Sequence, residues 1–344
     1  MNIFALALGT VERMPMPDSF ALAGIDFLAG RTRRRLSAVP AAAEAAFTKA
    51  MKYYPLMSPN DPETPFQDMP EEFFDLVLGP QRKYSCCLYP SETTTLAEAE
   101  SLAIAETVAH ADIRDGQTIL DLGCGWGALS LHLARNFPFA SIIAVTNSIA
   151  QRDYIENQVA THGLSNLTVV TADTSTFTPV GSFDRIVSIE VFEHMSNWQI
   201  LLERAREWLS ADGRLFLHVF SHRNRSYRFD QTDTSDWITH HFFAGGIMPA
   251  FDLLHRFSDL FEVEQEWRWS GEEYRRTAMD WLDNFDRNIL KINPILRQIH
   301  GEEAPLWRRR WRLFFLFAAG LFGHANGGEW GVGHYLLRPV SRRG

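Results

Sequence analysis

At 344 residues, with 46% hydrophobic and 12% aromatic side chains, the chain has the material for one large core or two smaller ones, and it is neither disordered nor fibrous. A formal charge of -9 argues against nucleic acid as the main partner, because neutralising phosphates needs clustered Lys and Arg. Cys86, Cys87 and Cys124 make neither a disulfide framework nor a zinc spacing, which fits a reducing cytoplasm and gives no metal site.

In chain order, residues 1–95 read as helices broken by proline-containing turns, with "MPMPDSF" opening one helix and "SPNDPETPF" ending another. No basic segment followed by an apolar run marks a signal peptide. The pattern then changes: "TILDLG", "SIIAVT", "LTVVTAD", "FDRIVSIE" and "GRLFLHVF" are short apolar runs separated by helical segments. That alternation predicts a mainly parallel sheet with helices on both faces, in a core domain spanning 96–221. Residues 222–327 are aromatic-rich and read as a largely helical lid, and 328–344, with "GVGHYLLRP", as a final strand returning to the sheet. Within the lid, "LFFLFAAGLFG" is too short to cross a bilayer of about 30 Å, which takes roughly 20 helical residues. It reads as a core helix, although the preceding "RRRWR" leaves open a helix lying at a membrane surface.

The most specific segment is "ILDLGCGWGALS": a strand ending in Asp121, a turn with Gly123, Gly125 and Gly127, and a helix that begins at once. Glycines at this spacing let the backbone approach a ligand, and a helix N-terminus adds N–H groups and the positive end of its dipole. The dinucleotide-binding version needs a later third glycine and an acid about 20 residues on, and neither is present.

"DLGCGWG" instead resembles the first motif of S-adenosylmethionine-dependent methyltransferases. "YSCCLYP" before it and "VTNSIAQRDY", "EVFEHM", "HFFAGGIMPA" and "GEEYRRTAMDWLDN" after it occur in an order that resembles the cyclopropane fatty acid synthase superfamily, most closely its coclaurine and related benzylisoquinoline N-methyltransferase branch. The resemblance implies an α/β, Rossmann-like class I methyltransferase with an N-terminal helical cap and a substrate lid inserted before the last strand. It implies S-adenosylmethionine as cofactor and S-adenosylhomocysteine (SAH) as product. Asp121, Gly123 and Gly125 would shape the pocket for the methionine part, covered by Tyr84 and Ser85. Thr146, Asn147 and Gln151 would take the ribose side, and Asp173 and Thr174 the adenine edge. Asp173 also reads as an ordinary helix N-cap. A homodimer is a further implication of the family alone.

"SIEVFEHMSNW" places Glu190, Glu193 and His194 where the fourth strand runs out, at the edge where open α/β sheets bind ligands. For an amine acceptor, a carboxylate or imidazole beside the nitrogen would orient it or accept its proton. In the N-methyltransferase branch the residues matching Glu193 and His194 have this role, and the predicted substrate is a small aromatic or cyclic amine. Trp267, Trp269, Phe242, Phe243, Trp281 and Trp330 are candidate aromatic walls for it. The competing reaction on the same scaffold is methylene or methyl addition to an unsaturated phospholipid chain at a membrane surface. There, a bicarbonate ion would be held by residues matching Cys86, Glu193, His218 and Tyr274. Buried packing accounts for Cys86 and His218 as well, and a hydrogen-bonded wall position for Tyr274. A silent cofactor sensor would not need the acids and histidine, and a nucleic-acid methyltransferase would be expected to show a basic face.

Overall fold

The computed structural model describes residues 17–40, 42–56, 69–229 and 245–341. Four helices come first: α1 (Asp18–Ser37), α2 (Ala42–Met51), α3 (Glu71–Val77) and α4 (Leu96–His110). The start of α4 is fixed by a reciprocal cap, in which Thr95 accepts from the Glu98 N–H while the Glu98 carboxylate accepts from the Thr95 N–H.

Parallel strands and helices then alternate: β1 (Thr118–Leu122), α5 (Ala128–Asn136), β2 (Ser141–Thr146), α6 (Ile149–His162), β3 (Leu167–Thr171), β4 (Phe183–Ile189), α7 (Trp198–Trp208) and β5 (Leu209–His222). The apolar runs are strands because both faces of the sheet are covered, and Leu120, Ile186, Val187, Leu215 and Leu217 have no measurable exposure. Two more strands, β6 (Phe261–Ser270) and β7 (Trp330–Pro339), complete a seven-stranded sheet in the order β3-β2-β1-β4-β5-β7-β6. Here β7 runs antiparallel between β5 and β6. The order reverses around β1 and β4, so a crevice opens at their carboxyl ends.

The 222–327 segment differs from the expectation of a largely helical lid, because it includes the ten residues of β6. "FEVEQEWRWS" alternates apolar and polar residues, the period of a strand with one buried face, and a bulge between Val263 and Gln265 interrupts the alternation. Helices α8 (Gly271–Arg287), α9 (Ile289–His300) and α10 (Ala304–Gly323) follow.

The apolar run of α10 lies in the core: Phe314, Phe315, Leu316 and Phe322 are buried against an aromatic layer containing Phe73, Trp281, Phe285 and Trp311. Each fully buried Phe contributes about 1.5–3 kcal/mol to this packing. Among the described residues no helix is long and apolar enough to cross a membrane.

Candidate active site

The turn after β1 is shaped by packing on one side and left open on the other. Gly123 has φ +83°, and a methyl group there would overlap the Val191 side chain. Gly125, at φ +53°, has no protein atom within 4 Å of its missing side chain, so its open side borders the cavity. The Gly123 and Cys124 N–H groups both donate to the Val145 carbonyl, at 3.0 and 2.9 Å, tying the turn to β2. Asp121 is 2% exposed and accepts from the Ser130 hydroxyl at 2.5 Å. Burial pushes its carboxyl up to about 6, against the pull of that hydrogen bond.

All ten residues expected to hold the cofactor line one cavity of about 560 Å³: Tyr84, Ser85, Asp121, Gly123, Gly125, Thr146, Asn147, Gln151, Asp173 and Thr174. At the end of β2 the Thr146 hydroxyl donates to Gln151 Oε1 at 2.5 Å. Ser148 caps α6 by accepting from the Gln151 N–H. Asp173 caps no helix but a turn, accepting from the Ser175 N–H at 2.6 Å, and also reaches the cavity.

Beside the glycine turn, Glu190 stands at the end of β4 with φ +51°, a left-handed conformation that costs a non-glycine residue about 1–3 kcal/mol and is often retained at functional sites. Three hydrogen-bonding groups surround its carboxyl. The Cys86 N–H donates to Oε1 at 2.9 Å and the Tyr274 hydroxyl to Oε2 at 2.7 Å, while His218 Nε2 lies 3.2 Å from Oε1. Burial raises the Glu190 pKa; the Lys83 charge, the Cys86 N–H and the Tyr274 hydroxyl each oppose that shift. His194 also lines the cavity, and burial lowers its pKa while Glu190 raises it.

Glu193 is not where a catalytic group or a bicarbonate ligand was expected. A short 3-10 turn, Phe192–His194, rotates it inward, and its side chain is fully buried behind the cavity wall. Its Oε1 accepts from the Phe220 N–H at 2.6 Å, and burial together with repulsion from Glu190 pushes its pKa well above the usual carboxylate range. The group that meets Cys86, His218 and Tyr274 is Glu190.

Other expected contacts divide. Tyr274 lines the cavity, whereas Cys86 and His218 stand just behind Glu190. Trp330 is a core side chain whose indole donates to the Tyr227 hydroxyl at 3.1 Å. Of the remaining candidate wall aromatics, Trp281 reaches the cavity, while Trp267 and Trp269 pack on histidines elsewhere. Phe242 and Phe243 lie outside the described residues.

Beside Tyr84, Tyr274 and Trp281, the aromatic lining includes Phe74, Trp126, Phe220 and Phe314, which sequence reasoning missed because they come from scattered elements with no shared sequence period. Lys83 was also missed. It is 3% exposed, and its ammonium donates to the Ser85 hydroxyl at 2.6 Å and the Cys86 carbonyl at 2.5 Å, beneath Glu190. A buried lysine gives no sequence signal apart from its place in "RKYSCC".

A glycine turn after the first of five parallel strands, opening on a cavity walled by the ends of β2 and β4, defines an S-adenosylmethionine-dependent methyltransferase. The sequence profile of the mycolic acid cyclopropane synthetase family matches residues 64–324. (S)-Coclaurine N-methyltransferase of Papaver somniferum is 38% identical over 275 residues, 79% of this chain and 78% of that protein. The enzyme of the same name from Thalictrum flavum subsp. glaucum is 36% identical over 276 residues, 79% of this chain and 76% of that one. The crystal structure of coclaurine N-methyltransferase bound to N-methylheliamine and SAH superposes with a TM-score of 0.90 at 32% identity, covering 98% of this chain and 100% of that one. The chain belongs to the mycolic acid cyclopropane synthetase family, and its activity is S-adenosylmethionine-dependent N-methylation.

Proposed function

We propose that the methyl acceptor is the nitrogen of a small cyclic or aromatic amine that enters as an ammonium cation and is deprotonated at Glu190. The observation behind this reading is a buried carboxylate, Glu190, in a cavity that also presents the rings of Phe74, Tyr84, Trp126, Phe220, Tyr274 and Trp281, groups suited to a cation with an apolar body. Bound S-adenosylmethionine supplies an activated methyl group on its sulfonium, so the protein contributes alignment and a free nitrogen lone pair. The raised pKa of Glu190 brings it closer to that of the ammonium proton it accepts. Tyr274 and the Cys86 N–H hold the carboxylate in place, and neutral His194 on the same wall orients the nitrogen. Glu193 supports the wall by fixing Phe220. On the cofactor side, Asp121, Gly123 and Gly125 would receive the amino-acid part under Tyr84 and Ser85, with Thr146, Asn147 and Gln151 at the ribose and Asp173 and Thr174 at the adenine.

The lipid reading requires a bicarbonate ion held by Cys86, Glu193, His218 and Tyr274, and Glu193 is buried behind the cavity wall. The other three, Cys86, His218 and Tyr274, already surround the carboxylate of Glu190, which favours the amine. The three cysteines are unpaired, in keeping with a reducing cytoplasm.

The test is an assay with methyl-labelled S-adenosylmethionine, offering a panel of cyclic secondary amines alongside vesicles of unsaturated phospholipid. Label on an amine nitrogen is expected. Label in the acyl chains, with none on any amine, would overturn the proposal.

A further inference from the structure

We infer that the proton taken up by Glu190 leaves the protein through a chain of three histidines, His218, His334 and His110, that ends at Glu106 on the surface. The inference rests on the reading of the substrate as a protonated amine. Its geometry is a series of four contacts: Glu190 Oε1 to His218 Nε2 at 3.2 Å, His218 Nδ1 to His334 Nε2 at 2.7 Å, His334 Nδ1 to His110 Nδ1 at 2.9 Å, and His110 Nε2 to Glu106 Oε2 at 2.9 Å. The chain runs from buried to open: the side chains of His218 and His334 are fully buried, that of His110 is 13% exposed, and that of Glu106 is 43% exposed.

The fold builds this line from three elements. His218 on β5 and His334 on β7 are direct partners in the antiparallel register, so their rings share one face of the sheet. His110 is the last residue of α4, which packs over that face. Two indoles from β6 insulate the line: Trp267 stacks on His110 at 3.7 Å, and Trp269 lies 4.3 Å from His334 and 5.5 Å from His218. At the outer end, His110 borders a second hollow of about 510 Å³. Its charged side chains are balanced, three arginines (Arg114, Arg185 and Arg214) against Asp112, Asp212 and Glu264, with Asp112 bridging Arg114 and Arg185 and Glu264 meeting Arg214. Among the described residues no group of side chains is arranged to hold a metal ion, so the histidines are not explained as ligands.

Counting protons shows what the chain does. Four contacts need four hydrogens, and three neutral imidazoles supply three. The fourth belongs to a carboxyl group at one end. With Glu190 protonated, His218 and His334 carry hydrogen on Nδ1 and His110 on Nε2. With Glu106 protonated, His218 and His334 carry it on Nε2 and His110 on Nδ1. Passing from the first state to the second moves one proton across each contact. The net result is a proton lost by Glu190 and gained by Glu106, which releases it to water. The rings recover the first tautomer set before the next turnover by acid–base exchange with water as the line opens transiently, each ring gaining a proton on one nitrogen and losing one from the other. Methylation of a secondary ammonium produces one such proton: ammonium plus sulfonium gives methylated ammonium, thioether and H⁺.

The groups facing the histidines favour neutral rings. Burial and the nearby charge of Lys83 hold His218 well below the usual histidine range; burial, His218, His110 and Lys83 do the same to His334. Burial also lowers His110, against the pull of Glu106.

The test compares His110→Gln and His334→Gln with wild type across pH. At neutral pH each variant is expected to lose about tenfold in kcat, the low end of what acid–base transfer contributes. KM and cofactor affinity by calorimetry stay unchanged. Above the acceptor's own pKa the amine arrives neutral, and the variants should match wild type. An equal loss at every pH would mean a packing role and overturn the inference, as would no loss at neutral pH. His110→Gln, at the end of α4, keeps the test valid if His334→Gln does not fold.

Nitrogen-15 spectra of histidine-labelled protein provide a readout without turnover. The three rings should show one tautomer set or the other throughout, and a mixed pattern would break the chain. If wild type methylates no amine while the rings keep a matched set, the amine reading fails and the hydrogen-bonded line itself stands.

Discussion

The Tyr274 hydroxyl, on α8, donates to Glu190 Oε2 at 2.7 Å, so the helix that closes the cavity is tied to the carboxylate at the end of β4. That bond favours the ionised form of Glu190. Tyr274→Phe removes it, and the Glu190 pKa should rise further. The acid limb of the kcat/KM profile should then move to higher pH, with a loss of about tenfold at neutral pH, as for removing one hydrogen bond to a charged group. An unmoved limb would separate Tyr274 from the titration.

Glu190→Gln keeps the shape and removes the base. Methyl transfer at neutral pH should fall by about 10²–10⁴-fold, the range expected for general base catalysis. Cofactor affinity, measured by calorimetry, should change little. An unchanged rate would take Glu190 out of the reaction.

Glu193 should respond as a structural group. Glu193→Ala leaves the buried Phe220 N–H without its acceptor, at a cost of about 1–3 kcal/mol in unfolding free energy, whereas Glu193→Gln retains a carbonyl oxygen for it. Denaturant melts should therefore rank Gln above Ala. The reverse order, or a rate loss in Gln as deep as in Glu190→Gln, would return Glu193 to the chemistry.

Asp121 makes stability depend on pH. Burial raises its carboxyl from 3.8 to about 6, so its contribution is fully present below the unfolded value and is lost as pH rises through about 6. At about 1.4 kcal/mol per pH unit, ionising it in place costs on the order of 2–3 kcal/mol. Asp121→Asn should be more stable than wild type at pH 7.5 by up to that amount, and the gain should vanish near pH 4. Melts at both pH values decide it; a gain that persists at pH 4 would point to packing.

The two glycines separate fold from ligand. Gly123→Ala meets Val191 and an unfavourable φ, so it should lower the melting temperature sharply. Gly125→Ala meets no protein atom and should cost about 1–2 kcal/mol from its backbone conformation alone, with the larger loss in cofactor affinity.

Much of this architecture could be read in the sequence because a strand covered on both faces must be an apolar run. "TILDL", "SIIAVT" and "FDRIVSI" are such runs, and the glycine spacing after Asp121 marks the turn that opens on the cavity. The cluster at the end of β4 was located but not resolved. Spacing cannot say that a left-handed Glu190 points into the cavity while the next turn buries Glu193. β6 was overlooked because a bulge breaks its alternation. The aromatic wall and the partnership of His218 with His334 depend on contacts between distant segments, which no local pattern encodes.

The position of β7 has a consequence for how the protein is made. It follows every other strand of the sheet in the chain, yet it lies between β5 and β6. During synthesis, β6 emerges without a partner and holds the Trp267 and Trp269 indoles ready for a surface not yet built. The outer part of the sheet is therefore complete only when the last strand has been made, because β7 alone joins β6 to β5. The buried histidine pair comes into being only at that final step, so a chain stalled before Trp330 would have its cofactor turn and lack the line leading out from Glu190.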